Sequence, residues 1–314
     1  PGDISTLQIR GHFYFALTAI GEAILRTKLL FLLLSLLTAI TACSPPAQII
    51  PTATALPPAA TPTPQATPTI SFFPTATALT CLTQPGRVEE GVLDSFKPAQ
   101  EFRVYLPACY DEKTDERYPV LYLLHGQTYN DDQWIRLGAV SVLDELILSG
   151  ESQPFIVVFP DDRYWNLEAG PGFGDRFINH IIPHIDSTYR TIPDRDYRAI
   201  GGMSRGAGWS LRLGLTHWEL FGTIGLHSLA VLQKDASKLR QWIPVIPASS
   251  GPTIFMDIGD NDQELIMAQQ IESQFNDYDI PHEWHLYSGA HTEDYWGAHV
   301  EEYIRWYAEQ WKFP

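Results

Sequence analysis

The feature that most restricts what this chain can fold into runs from Asp196 to Leu215. There a short apolar stretch narrows to Gly202-Met203-Ser204-Arg205-Gly206 and continues as a helical pattern. Ala207, Leu211 and Leu215 recur four apart and therefore share one helix face. Strand, G-x-S-x-G, helix describes a turn so sharp that only small residues fit on either side of the serine. Such a turn lifts the hydroxyl above the sheet edge and points a helix N-terminus at it, where negative charge is favoured. The five-residue pattern alone also describes an ordinary glycine-rich turn. The flanking strand and helix favour a nucleophile, and the rest of the chain must supply a base, an acid and oxyanion donors.

Strands and helices alternate through the following domain. Val120–Leu124 and Phe155–Phe159 are unbroken apolar runs, as expected of parallel strands buried on both faces, and Ile254–Met256 and Trp284–Tyr287 are shorter examples. Glu101–Leu106 reads as a further β-like stretch. Helical patterns fall at about 139–149, 174–189, 204–215, 262–276 and 293–311. The alternation predicts one mostly parallel, doubly wound α/β domain with helices on both faces, whose chemistry sits at the carboxyl ends of the strands.

Four segments fall at such ends. Ser204 is the first. The second is His125-Gly126-Gln127, where the Gln127 amide joins that of Arg205 as a candidate oxyanion donor. Asp257-Ile-Gly-Asp260-Asn-Asp262 is the third, with Asp260 and Asp262 both placed either to orient an imidazole or to cap the next helix. In the fourth, Ser288-Gly-Ala-His291, a loop histidine follows a late strand; His282 and His285 belong to that strand and His299 to the helix beyond. The order Ser, Asp, His is that of α/β hydrolases.

Residues 87–311 resemble the Putative esterase family, which includes esterase D, enterochelin esterases, mycolyltransferases and bacterial feruloyl and acetyl xylan esterases. The resemblance is carried by Tyr118–Gly126, Ile182–Arg190, Ile200–Gly206, Phe221-Gly222, Gly259–Asp262 and Gly289–His291. It implies an α/β-hydrolase fold and a serine ester hydrolase. The feruloyl-esterase-like branch carries its acid at the end of a Gly-x-x-Asp turn, which implies Asp262 here, with Asp260 as runner-up. Ala207 replaces a glycine common in the family, and Asn179-His180-Ile181 stands where Glu-Leu or Glu-Ile usually precedes the proline.

The expected mechanism is acyl transfer through Ser204, His291 and Asp262, with no metal or cofactor, since no Cys/His or carboxylate cluster shows ligand spacing. A small-molecule or carbohydrate-linked ester is the expected substrate. Trp134, Trp165, Tyr295 and Trp296 are expected in loops that could rim the site. An acyltransferase on the same three residues, or a non-catalytic glycan-binding surface protein, is the alternative reading.

Upstream, Arg26 and Lys28 precede an apolar run from Leu29 to Ile40, too short for a membrane span, which ends in Ile40-Thr-Ala-Cys43. This resembles a bacterial lipobox and implies lipidation at Cys43, so residues 1–43 read as an N-terminal extension and lipoprotein signal. Residues 44–80 are almost wholly Pro, Thr, Ala and Ser without charge. They cannot bury enough apolar surface to fold, and at ~3.1 Å per residue they form a tether on the order of 100 Å long. Residues 81–314 are the esterase domain, exported and held to the membrane only through the lipid. Export permits a Cys81–Cys109 disulfide. The chain carries a net charge of −16; three cations against two anions in residues 1–80 leave −17 for the rest. So acidic a domain has no electrostatic footprint for nucleic acid. The sequence carries no signature of oligomeric state.

Overall fold

A computed structural model describes residues 80–162 and 172–311. Cys43, the signal-like segment and all but the last residue of the Pro/Thr/Ala-rich stretch lie outside these residues, as does Trp165.

An eight-stranded sheet in the order β1-β2-β4-β3-β5-β6-β7-β8 forms the framework. Its first edge is antiparallel: β1 (Arg87–Leu93) pairs with β2 (Gln100–Leu106), and β2 pairs with β4 (Ile156–Pro160). From β4 onward, β3 (Val120–Leu124), β5 (Arg198–Met203), β6 (Thr223–His227), β7 (Thr253–Gly259) and β8 (Glu283–Tyr287) are parallel. Every residue of β3, β4, β5 and β6 is buried, which is why β3 and β4 read as continuous apolar runs. Alternation within them still divides the core. Tyr122 and Leu124 enter one apolar cluster with Ile200, Leu211 and Ile271, while Leu121 and Leu123 enter the other with Leu143, Tyr303 and Ile304.

The first face is covered by α3 (Arg205–Thr216), α4 (Leu265–Asp277) and the helical run α2 (Phe173–Thr188); the second by α1 (Ala139–Ser149) and α5 (Glu293–Glu309). The strand order reverses on either side of β3, so the ends of β3 and β5 open the crevice where doubly wound sheets place their ligands. Both ends carry predicted site residues.

Three elements differ from the sequence reading. The run α2 is not one regular helix: Phe173–Arg176 passes through a π-helical Phe177–Ile181 before Ile182–Thr188. Pro183 lacks an N–H and its ring crowds the carbonyl four residues back, so a wider turn ahead of it relieves the contact. β1 and β6 also escape pattern reading. β1 is a half-exposed edge strand, and β6 carries Gly225 and His227 where an apolar residue is expected.

Those small residues are explained by one side chain from α5. A Cβ on Gly201 would stand 1.7 Å from the Tyr307 hydroxyl, and one on Gly225 1.6 Å, so the hydroxyl end of the phenol abuts β5 and β6 where both strands lack side chains. A disulfide joins Cys81 to Cys109, tying the start of the domain to the turn after β2. Gly225→Ala is expected to cost about 1–3 kcal/mol by overpacking, measured as a lower urea midpoint at unchanged slope. An unshifted midpoint would show that Tyr307 is not seated there.

Candidate active site

Ser204 occupies the turn between β5 and α3 at φ 55° and ψ −120°, a conformation that only surrounding structure can hold in a residue with a Cβ. The glycines two positions either side are required by close approach. A Cβ at Gly202 would lie 2.8 Å from the Leu124 carbonyl oxygen, and one at Gly206 2.3 Å from the same atom. The Ser204 amide donates to the His227 carbonyl at 2.9 Å, anchoring the turn to β6.

His291 lies in the loop between β8 and α5. Asp260 Oδ1 accepts the Gly289 amide at 3.0 Å, the Asn261 amide donates to the Gly289 carbonyl at 2.8 Å, and the Thr292 hydroxyl caps α5. The imidazole Nε2 faces Ser204 Oγ at 2.7 Å. Its Nδ1 faces the two Asp262 carboxylate oxygens at 2.9 and 2.8 Å. A carboxylate can only accept, so Nδ1 carries the proton and Nε2 is left as the acceptor of the serine hydroxyl. The Asp262 side chain is fully buried and Oδ1 also takes the Glu264 amide at 2.8 Å, so this residue both faces the imidazole and ties down the approach to α4. Asp260, the other candidate acid, is directed to Gly289 instead.

Arg205 is the first residue of α3, and its buried side chain donates to Asp162 at 2.8 Å. The loop after β3 passes beside the serine: a Cβ on Gly126 would stand 3.6 Å from Ser204 Cβ, and Gln127 follows, exposed. Among the described residues no group of three or more His, Cys, Asp or Glu side chains is placed to hold a metal ion.

The aromatic residues expected in loops around the site are instead built into its walls. Trp134 is buried in the helical turn Gln133–Arg136, donating to the Leu124 carbonyl at 3.0 Å. Tyr295 and Trp296 belong to α5 and are buried; Trp296 meets the His291 ring edge to face at 5.1 Å and donates to Ser228 Oγ. Each indole and phenol polar atom has a partner inside the protein, which pulls the rings into the core.

Beneath the site lies a polar cluster that pattern reading missed. His227 and Asp257 are register partners on β6 and β7, both buried, with Nδ1 and Oδ1 at 2.7 Å. The Asp257 carboxylate also accepts the Tyr295 hydroxyl at 2.7 Å and the Tyr303 hydroxyl at 2.6 Å, while His227 Nε2 meets the Tyr307 hydroxyl at 3.0 Å. The only sequence signal was a histidine at the end of β6 and an aspartate within β7. Burial, then the charge of Asp257, raises the titration of Tyr295, Tyr303 and Tyr307 well above the ordinary phenol range. The folded state therefore keeps protons that the unfolded chain loses above about pH 10. Stability is full below that pH and should fall as pH rises, by about 1.4 kcal/mol per pH unit for each such tyrosine. Urea unfolding between about pH 9 and 11 measures this, and a flat profile would contradict the burial of the cluster.

A family model described as Putative esterase matches residues 94–307, more than half of the chain. The chain belongs to the Putative esterase family. This esterase-family chain is 35% identical over 140 residues to an endo-1,4-beta-xylanase/feruloyl esterase of Xylanibacter ruminicola, a match covering 41% of this chain and 19% of that protein. It thus spans about a fifth of that relative's length. Among solved structures, a ferulic acid esterase superposes with a TM-score of 0.63 at 23% identity, covering 73% of this chain and all of the other. A mutant of the feruloyl esterase module from Clostridium thermocellum, complexed with sinapinate, gives 0.61 at 21% identity over 76% of this chain and 94% of its own. These two likenesses establish the α/β-hydrolase fold of the esterase-family domain.

Proposed function

We propose that this esterase-family protein is a serine carboxylic-ester hydrolase that works through a covalent acyl-enzyme. The observation that carries the proposal is the unbroken line Ser204–His291–Asp262, two contacts of 2.7 and 2.8 Å that assemble a hydroxyl, an imidazole and a buried carboxylate. His291 takes the Ser204 proton as Oγ bonds to the ester carbonyl carbon. The amides of Gln127 and Arg205 receive the resulting oxyanion. Collapse breaks the bond to the alcohol, which leaves with the proton from His291. Water, deprotonated by the same imidazole, then releases the acid and restores Ser204.

The substrate we propose is a carbohydrate-linked or small acyl ester of feruloyl or acetyl type. The support is the likeness to the xylanase/feruloyl esterase of Xylanibacter and to the Clostridium feruloyl esterase module complexed with sinapinate. We also propose that residues 81–314 are the catalytic domain, that residues 44–80 tether it, and that Cys43 is lipidated after export. Loss of both radiolabelled palmitate and membrane fractionation in Cys43→Ala is the expected outcome for the anchor; retention of label would exclude it.

Turnover of 4-nitrophenyl acetate and methyl ferulate tests the chemistry. Ser204→Ala should lower kcat by about 10⁴-fold or more, and Asp262→Asn by about 10⁴-fold. Asp260→Asn should stay within about tenfold, since its carboxylate holds a loop and not the imidazole. An Asp260→Asn loss equal to that of Asp262→Asn would reverse the assignment of the acid. Absence of turnover together with no labelling of Ser204 by a fluorophosphonate would reject the hydrolase.

A further inference from the structure

Resting on the esterase reading above, we infer that His125 and Asp162 are positioning residues that hold both halves of the oxyanion hole through one buried hydrogen-bond relay. Backbone amides are the donors in this reading, so whatever fixes the adjoining peptide planes fixes the hole.

The Gly126 carbonyl and the Gln127 N–H belong to one peptide group, which is planar and trans. In such a group the two point in opposite directions, so a bond that grips the carbonyl also aims the amide. His125 grips it: Nδ1 lies 2.7 Å from the Gly126 carbonyl oxygen. The preceding peptide is held as well, since the Gly126 amide donates to Gln133 Oε1 at 2.8 Å, and Gln133 is fully buried. Both peptides flanking Gly126 are thereby clamped by side chains.

The partners of His125 fix its tautomer. A carbonyl oxygen can only accept, so Nδ1 carries the proton. Nε2 is then the lone-pair nitrogen, matching the Asp162 amide that donates to it at 2.7 Å. Asp161 Oδ1 stands 3.2 Å from the same Nε2, but an N–H already directed at that nitrogen leaves no room for a second proton there. His125 is 3% exposed and acts as a neutral relay, with both ring nitrogens used.

Asp162 completes the link. Its amide holds His125, while its Oδ2 accepts Arg205 Nε at 2.8 Å and Trp209 Nε1 at 2.8 Å. Arg205 supplies the second proposed oxyanion amide at the start of α3. One buried residue, 4% exposed, therefore joins the loop after β3 to the first turn of the nucleophile helix. Neither side chain reaches the reacting atoms; they act through the backbone they orient.

The relay makes a prediction that a merely structural role would not. In the full-length protein, His125→Ala should lower kcat on 4-nitrophenyl acetate by about 100-fold, the effect of losing one oxyanion donor, while KM moves by less than about threefold. Affinity for a trifluoromethyl ketone, whose adduct with Ser204 is a tetrahedral oxyanion, should fall by the same factor as kcat/KM. His125→Asn places an amide N–H near the lost Nδ1 and should recover kcat to within about tenfold of wild type, whereas His125→Gln, which can replace only the outer nitrogen, should not. An active wild type with His125→Ala unchanged in kcat and ketone affinity would overturn the relay. So would equal kcat values for His125→Asn and His125→Gln, a comparison that stands even if the alanine variant does not fold. A wild type that neither turns over ester nor reacts with the ketone would instead reject the esterase reading itself.

Discussion

At the turn that carries Ser204, backbone meets backbone with no space for a side chain on either flank. A Cβ at Gly206 would be 2.3 Å from the Leu124 carbonyl oxygen and one at Gly202 2.5 Å from the Gly206 carbonyl carbon. This contact presses the start of α3 against the end of β3, so the loop from His125 to Gln127 runs alongside the serine. It also holds Ser204 at φ 55°, a strained backbone that persists because β5, β6 and α3 together over-determine it. Without that approach, Ser204 and the loop after β3 would stand on separate strand ends with nothing between them.

The second dependence is electrostatic. Asp257 is buried with three donors on its carboxylate, one from β6 and two from α5. A buried anion is tolerable only when its lone pairs are met, so the three donors are required to stay. The elements they join are the ones that carry the site: β6 accepts the Ser204 amide, β7 leads to Asp262, and α5 begins just after His291. This layer thus underlies the elements that bring His291 to Ser204.

How far this could be read beforehand differs by element. β3 and β4 announced themselves, because both of their faces are covered by apolar side chains and no polar position interrupts the run. β1 and β6 did not. The former is half exposed, and the latter exchanges apolar side chains for a glycine that makes room for Tyr307 and a histidine satisfied by Asp257. Ser204 and His291 stood out through position and order. Trp134, Tyr295 and Trp296 were misplaced, since an aromatic residue near a loop reads the same whether its polar atom points to water or to a buried partner.

The sequence by itself determined the alternation of the central strands and helices, the sharp turn at Ser204 and the loop identity of His291, because these depend on local spacing and on glycine. Only the tertiary structure shows that Asp262, and not Asp260, faces the His291 imidazole. Both follow β7 two residues apart, and which carboxylate meets the imidazole depends on how that loop packs against the one after β8. Tertiary structure also revealed the two buried networks beneath and beside the site. The bonds His227–Asp257, Asp162–His125 and Asp162–Trp209 span 30, 37 and 47 residues, and no local pattern records a hydrogen bond made across a core.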